Sequence, residues 1–177
     1  MKKTQLITIL LLATAAAIAT TWSPTTASVS FYIKNTGITV NGSLSGLAAS
    51  VDFDPENLVK SQISASVKVN TIKTGIDARD AHLKKGEYFD AASFPKIEMA
   101  STSFTKNSGD NYIGKFNLTI KGKTKNISVP FTFSESNGKG SFKGSFSINR
   151  LDFGVGESSF VLSDEVKVKL LLNTTKK

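Results

Sequence analysis

Strict alternation of apolar and polar residues recurs along this sequence and constrains its fold more than any other feature. In an extended strand, successive side chains point to opposite faces of the sheet, so this pattern gives one apolar and one solvated face. Segments rich in glycine, asparagine and proline separate the alternating runs, as is typical of tight turns. The pattern therefore predicts an all-β protein of antiparallel strands. The alternating runs cover residues 29–34, 63–70, 112–121, 127–133, 142–148 and 166–173.

One segment interrupts the alternation. Residues 77–85 are charged, hold the only histidine of the chain, and predict a short helical insert. We expect four strands before this insert and four after it. A total of about eight antiparallel strands in one domain favours a closed barrel or a sandwich, and closure would remove exposed sheet edges. The alternation by itself does not distinguish these two architectures.

The first nineteen residues predict a cleaved secretory signal peptide. Two lysines precede an apolar segment at residues 6–17, which is too short to span a bilayer comfortably. An A-x-A cleavage pattern ends at Ala19, so residues 20–177 would form the mature domain, and cleavage after Ala27 is the second candidate. An N-terminal membrane anchor is less favoured, because no second long apolar run follows. We therefore expect a periplasmic or secreted protein without a stable membrane anchor.

Composition excludes several classes of function. The chain has 22 Lys and Arg against 14 Asp and Glu, but the lysines are scattered along the strands, which favours a solvated outer face over a nucleic acid interface. Without cysteine, there is no disulfide, thiolate nucleophile or lipid-modified cysteine. One histidine cannot build a multi-histidine metal site, and neither a G-x-S-x-G elbow nor a phosphate-binding glycine loop occurs. The sequence predicts a non-catalytic protein with no metal, cofactor or nucleic acid partner.

Three segments of the chain resemble the signature of the YceI-like family. The first lies in the insert, where Arg-Asp-Ala-His-Leu at residues 79–83 is followed by Phe89-Asp90 and by Phe94-Pro95. The other two are residues 118–125 and 148–154, and all three occur in the family's order. The resemblance implies a single eight-stranded, lipocalin-like barrel that binds a polyisoprenoid in the periplasm. It also favours the barrel over the sandwich.

An apolar cavity inside such a barrel could hold an isoprenoid tail. The chain has 12 phenylalanines, and large inward-facing side chains alternate with small ones such as Ala65 and Gly114, which leaves room for a ligand. The same alternation could fit side chains into a solid, tapered core. The alternative function is therefore a structural or interaction protein with a solid core that binds a partner on its outer face. The residues expected to contact the tail are Phe31, Phe53, Val67, Met99, Phe116, Leu118, Phe131, Phe133, Phe142 and Phe146.

Cationic side chains on and near the insert are candidate contacts for a polar headgroup. Arginine binds phosphate oxygens as a bidentate donor, and lysine binds them as a point charge. The alternative is that Arg79 and Asp80 pair with each other or cap local backbone, that Arg150 and Asp152 do likewise, and that His82 makes an ordinary hydrogen bond. The candidate headgroup residues are Arg79, His82, Lys84, Lys85 and Arg150.

Together, the residues and the resemblance predict an exported binding protein for a long isoprenoid lipid. A polyprenyl pyrophosphate, a quinone-like molecule or a similar amphiphile would be held inside the barrel for transport, storage or a stress response. An enzyme on the same scaffold would need a polar cluster inside the cavity, which the sequence does not supply. The chain length and headgroup of the lipid stay open, and so does the formation of a homodimer.

Overall fold

The computed structural model describes residues 19–177. Within this range the chain forms nine β-strands, three short 3₁₀ turns and one α-helix, α1 (Asp77–Leu83). None of the helices in the described range is long and apolar enough to span a bilayer. Apart from Ala19, the expected signal peptide lies outside the described residues. The strands are β1 (Thr21–Asn35), β2 (Ile38–Leu44), β3 (Ala48–Asp52), β4 (Gln62–Lys68), β5 (Lys96–Ser108), β6 (Asn111–Ile120), β7 (Lys123–Ser136), β8 (Lys139–Asn149) and β9 (Leu162–Lys176).

The strands form one antiparallel sheet that closes on itself. The first and last strands, β1 and β9, pair from Trp22 to Asn35 of β1. Along the other edge of β1, both β2 and β3 pair with β1. The register with β1 continues from Leu44 of β2 to Val51 of β3, so these two strands lie in line. They occupy a single place in the sheet, and the barrel therefore has eight strand positions. The predicted eight-stranded antiparallel barrel with a short helical insert is confirmed.

The expected division of four strands on each side of the insert was wrong. Five strands follow the insert, and the additional one is β5. The register of β5 shifts between Ser101 and Ser103, so its inward-facing residues change parity partway along the strand. Such a bulge breaks a period-two pattern, which explains why the alternation did not reveal this strand.

Burial shows that the alternating runs are half-buried strands. In β6, Tyr112, Gly114, Phe116, Leu118 and Ile120 are buried, while the residues between them are exposed or half-buried. The central part of β7 repeats this pattern. One face of each of these strands therefore points into the barrel and the other towards solvent.

Two-residue turns connect three of the hairpins. Thr36-Gly37, Lys121-Gly122 and Asn137-Gly138 have a positive φ at both positions. This geometry belongs to the type I′ turn, whose twist matches that of paired strands. Glycine at the second position adopts it without the steric cost of a side chain. The Lys121-Gly122 turn joins β6 to β7 at the barrel end that carries the insert.

The barrel interior has two different halves along its axis. At the end away from the insert, aromatic side chains pack around Phe53, which is fully buried. Its ring lies 5.0–5.8 Å from the surrounding rings in edge-to-face geometry, which stabilises aromatic pairs beyond their buried area. Trp22 Nε1 donates a 2.8 Å hydrogen bond to the carbonyl oxygen of Phe53. We call this region the closed half; its buried residues are Trp22, Val51, Phe53, Phe104, Tyr112, Phe116, Val129, Phe131, Phe133 and Phe142.

Candidate ligand-binding site

The half of the barrel next to the insert, here called the open half, contains a partly open cavity of about 360 Å³. This volume falls within the range of small-molecule pockets, which is about 300–1,000 Å³. Aliphatic side chains form most of its wall, and their smaller volume leaves the space that aromatic rings fill in the closed half. The aliphatic lining includes Val29, Ile33, Val40, Leu44, Ile97, Ile120, Ile148, Val166, Val168 and Leu170.

Phe31 lines this cavity with the help of a glycine on the neighbouring strand. Gly42 of β2 is the partner of Phe31 in the register with β1. A Cβ atom at position 42 would overlap the ring of Phe31. The missing side chain lets the ring lie against the barrel wall, so Phe31 borders the cavity.

The structure divides the ten expected tail contacts into two equal groups. Phe31, Val67, Met99, Leu118 and Phe146 line the cavity. The other five pack against one another in the closed half, where rings from facing strands fill the interior. Those five residues are Phe53, Phe116, Phe131, Phe133 and Phe142.

Sequence reasoning missed lining residues in several elements, and β9 and β2 are two examples. Val166, Val168 and Leu170 alternate in β9, so a signal for their inward orientation was present in the sequence. Val40 and Leu44 belong to β2, where they alternate with the polar residues Asn41 and Ser43, so the same signal was present in this short strand. The pairing of β2 with β1 places these two side chains on the cavity wall.

Thr74 organises the polar residues at the start of the insert. Arg79 lines the cavity, and its Nε and Nη2 donate 2.7 Å hydrogen bonds to Oγ1 and the carbonyl oxygen of Thr74. Asp80 is buried and accepts hydrogen bonds from the amide and the hydroxyl of Thr74 at 2.7 and 2.6 Å. The hydroxyl of Thr74 is the main cause of a lowered pKa for Asp80, and Lys73 contributes to it. Arg79 and Asp80 thus both bind Thr74 rather than each other.

His82 also lines the cavity, whereas the two lysines that follow α1 do not. His82 Nε2 lies 2.9 Å from Glu87 Oε1, and the imidazole packs edge-on against Tyr88 at 4.9 Å between ring centroids. A hydrogen bond from its own backbone amide, together with His82, holds the pKa of Glu87 below its usual range. Lys84 is half-buried and Lys85 is exposed, so both lie beside the site rather than in its lining.

Arg150 borders the cavity, but its guanidinium group is used to hold a loop. The residue is 4% exposed. It donates hydrogen bonds to the carbonyl oxygens of Glu157 and Ser163 at 2.8 and 3.0 Å, and to Asp164 Oδ1 at 2.9 Å. The carboxylate partner of Arg150 is therefore Asp164 rather than Asp152, whereas its bonds to nearby carbonyl groups agree with the alternative of local backbone contacts. The loop between β8 and β9 depends on this buried side chain.

The three signature segments meet at one end of the barrel. Lys121 Nζ donates hydrogen bonds to the carbonyl oxygens of Gly86 and Gly154 at 2.6 and 3.0 Å. The amide of Gly156 donates a 2.9 Å hydrogen bond to the carbonyl oxygen of Glu87. The turn between β6 and β7 therefore ties the insert to the loop before β9. Together these segments form a cap over the open half.

The described residues offer little for catalysis. Within residues 19–177 there is no group of three or more His, Cys, Asp and Glu side chains that could hold a metal ion. Of the polar side chains that line the cavity, Arg79, His82 and Arg150 are hydrogen-bonded to the protein. The arrangement can enclose an apolar ligand and present a few cationic donors at its capped end.

A sequence model of the YceI-like domain matches residues 21–174. The chain belongs to the YceI-like family. Among its relatives, a UPF0312 protein of Yersinia pestis (strain Pestoides F) is 29% identical over 152 residues, which cover 80% of this chain and 77% of that protein. A UPF0312 protein of Photorhabdus laumondii is 27% identical over 100 residues, which cover 56% of this chain and 52% of that protein.

Several solved structures share the barrel. BcnA of Burkholderia cenocepacia has a TM-score of 0.80 and 26% identity, with 84% of this chain and 96% of that chain covered. The YceI protein of Campylobacter jejuni has a TM-score of 0.71 and 23% identity, with 78% and 85% covered. A polyisoprenoid binding domain from Saccharophagus degradans, implicated in plant cell wall breakdown, has a TM-score of 0.69 and 15% identity, with 91% and 100% covered. At these identities, the last two likenesses concern the fold alone.

Proposed function

We propose that this YceI-like protein is a non-catalytic carrier that holds the apolar chain of a long isoprenoid lipid in the open half of its barrel. The observation that carries the proposal is the cavity of about 360 Å³ with an almost wholly apolar lining. The solved domain from Saccharophagus degradans, which shares the fold, is described as polyisoprenoid binding. Burial of one methylene contributes about 0.8 kcal/mol, so the chain of the lipid can supply most of the affinity.

The polar end of the lipid would lie under the cap. Arg79 and His82 line the cavity there, and Thr74 and Glu87 fix their positions through hydrogen bonds. These two residues are the better candidates for a headgroup such as a pyrophosphate or a quinone-like ring. Arg150 is a weaker candidate, because loop carbonyl groups already occupy its donors.

The competing function, a structural barrel that binds a partner on its outer face, requires a filled interior. The closed half meets that requirement, since its aromatic side chains pack against each other. The open half does not meet it. The unfilled volume next to the cap therefore favours a ligand-binding role, whether the lipid is then transported, stored or used in a stress response.

Export is part of the proposal, with cleavage after Ala19 as the favoured site. This cleavage would keep Trp22, which is buried against Phe133 at 5.3 Å between ring centroids. Cleavage after Ala27 would remove Trp22 and the pairing of β1 with β3. Intact-mass measurement of exported protein should therefore give Thr20 as the first residue. Exported protein that begins at Met1 or at Ser28 would contradict this site.

Native mass spectrometry after gentle purification tests the proposed ligand. The wild-type protein should carry an additional lipid mass, or take up an added prenyl lipid. Val168→Phe places a ring in the cavity and should abolish this mass. Ser147→Phe is the matched control, because Ser147 is exposed on the outer face of the adjacent strand β8. Absence of lipid from both the wild type and the control, even with added prenyl lipid, would show that the proposal is wrong.

A further inference from the structure

Exposed apolar side chains are concentrated at the end of the barrel that carries the cap. Of six large apolar residues exposed in the described part of the chain, four lie there. Phe160 is fully exposed, Ile38 is 70% exposed, and Val161 and Ile76 are about half exposed. Single exposed apolar residues are common, but a group of them at one place marks an interaction site. We call Ile38, Phe160 and Val161 the apolar tip.

The two segments that carry the apolar tip lie side by side. The amide of Thr36, in the turn between β1 and β2, donates a 2.6 Å hydrogen bond to the carbonyl oxygen of Val161. Asn35 pairs with Ile38 of β2 and with Leu162 of β9. The turn and the loop before β9 are therefore joined side by side, and their exposed apolar side chains lie at the same corner of the barrel end.

The tip is also continuous with the cavity. Asn35 and Leu162, which join the two parts of the tip, line the cavity, and so does Val40, two residues after Ile38. On the other side of β2, the bridge between Ser43 and Lys73 holds the segment that leads to Ile76 and α1. The exposed tip therefore lies directly beside the cavity.

Arg150 holds the loop that presents Phe160. Its guanidinium group donates hydrogen bonds to the carbonyl oxygens of Val155 and Glu157 on one side of Phe160 and of Ser163 on the other. Since Arg150 is buried, the loop is anchored to the barrel at both of its ends. The phenyl ring therefore projects from a fixed base.

We propose that the apolar tip docks reversibly on a phospholipid bilayer and that lipid passes between the bilayer and the cavity at this place. The inference rests on the proposed function. An isoprenoid chain that crossed free water would expose many methylenes, which is strongly unfavourable. Docking of the tip places the cavity next to the apolar interior of the membrane. Because the tip inserts only a few side chains, the docking is reversible and does not act as a stable anchor.

The charges near the tip indicate how the bilayer is bound. Lys34 and Lys73 are exposed on this side of the barrel, but so are Asp77 and Glu157. With both signs present, attraction to anionic lipids is weak, and insertion of apolar side chains supplies the binding. Docking on zwitterionic phosphatidylcholine should therefore be nearly as strong as docking on a mixture with anionic lipid, with little dependence on salt.

Vesicle flotation with the purified protein tests the docking. The double variant Ile38→Ser/Phe160→Ser should bind phosphatidylcholine vesicles at least about tenfold more weakly than the wild type does, since two exposed apolar side chains are lost. Val59→Ser is the matched control, because Val59 is 97% exposed and lies at the opposite end of the barrel. The control should bind as the wild type does. Equal binding by the double variant and the wild type would overturn the proposal.

A loading experiment separates this proposal from the proposed function. A prenyl alcohol is offered either in vesicles or in detergent micelles, and its uptake is followed by native mass spectrometry. The double variant should load more slowly from vesicles, at an unchanged rate from micelles, and to the same final occupancy. Absence of uptake by the wild type from either source would refute the carrier function itself. Equal uptake from vesicles by the double variant and the wild type would refute only the docking. The docking would also be refuted if size-exclusion chromatography showed a dimer for the wild type and a monomer for the double variant.

Discussion

The closed and open halves of the barrel share most of their strands but hold different contents. In β6, Tyr112 and Phe116 point into the packed aromatic cluster, whereas Leu118 and Ile120, further along the same inward face, point towards the cavity region. The alternation of β6 is the same in both halves. Side-chain volume at a given height along the barrel therefore decides whether a strand contributes to a solid core or to a binding site.

The polar contacts of the two halves differ as well. The closed half is sealed by neutral contacts such as the hydrogen bond between Trp22 and the backbone of Phe53. The open half is covered by a cap whose charged side chains, Lys121 and Arg150 among them, donate to backbone carbonyl groups. We therefore expect stability to depend mainly on the closed half and ligand binding on the open half, and substitutions can test this separation.

The largest expected effect comes from removal of one ring in each half. Phe53→Ala leaves a cavity in a packed aromatic cluster and should lower the free energy of unfolding by about 3–5 kcal/mol. Phe31→Ala, the matched control, removes a half-buried ring that already borders a cavity, and should cost about 1–2 kcal/mol. Chemical denaturation measures both values. Equal losses would mean that the two halves do not differ in packing.

A larger side chain should be tolerated in the open half and should destabilise the closed half. Val129→Phe overfills the closed half, where Val129 is buried, and should cost about 1–3 kcal/mol. Val168→Phe enters the cavity, so its change in the free energy of unfolding should stay within about 1 kcal/mol, because the ring gains contacts without displacing neighbours. Thermal and chemical denaturation of the two variants measure the difference. A larger cost for Val168→Phe would show that the open half is not a true cavity.

A smaller effect concerns the pH dependence of stability at the cap. Because Thr74 lowers the pKa of Asp80 in the folded state, Asp80 stabilises the fold above its unfolded pKa of about 3.9, and this stabilisation is lost as the pH falls through the folded pKa. Thr74→Val removes the hydroxyl, so the loss of stability between about pH 7 and about pH 3 should become smaller. Urea denaturation at several pH values measures it. Thr39→Val on the exposed face of β2 is the control and should keep the wild-type pH profile.

The smallest effect is expected at the two lysines beside the site. Replacement of Lys84 and Lys85 with alanine should weaken the binding of a prenyl pyrophosphate a few-fold more than the binding of the matching prenyl alcohol. The difference should be smaller at high salt, because charges outside the cavity are screened over about 8–10 Å. Competition binding with the two lipids at low and high salt measures this. Equal weakening of both lipids, or none, would confine headgroup recognition to Arg79 and His82 or to an uncharged contact.

The fold and the orientation of most strands could be predicted from the sequence, because period-two alternation is a local property. The height of a side chain along the barrel could not, since it depends on the register between strands. Phe131 and Phe146 illustrate this limit: both were expected to contact the tail, and one lies in the closed half while the other lines the cavity. The pairing of Arg150 with Asp164 was equally hidden, because it depends on the path of a loop.

The pairing of the first strand with the last has a consequence for how the chain can fold. Until β9 is available, β1 and β8 each keep an unpaired edge, and such edges favour association with other chains. Contacts between the two ends of the sequence also make closure slow, because a long loop must be ordered first. The barrel can therefore close only after its last fifteen-residue strand has been released by the machinery that synthesises or translocates it. A chain truncated before residue 162 should accumulate as an aggregate rather than as a smaller domain.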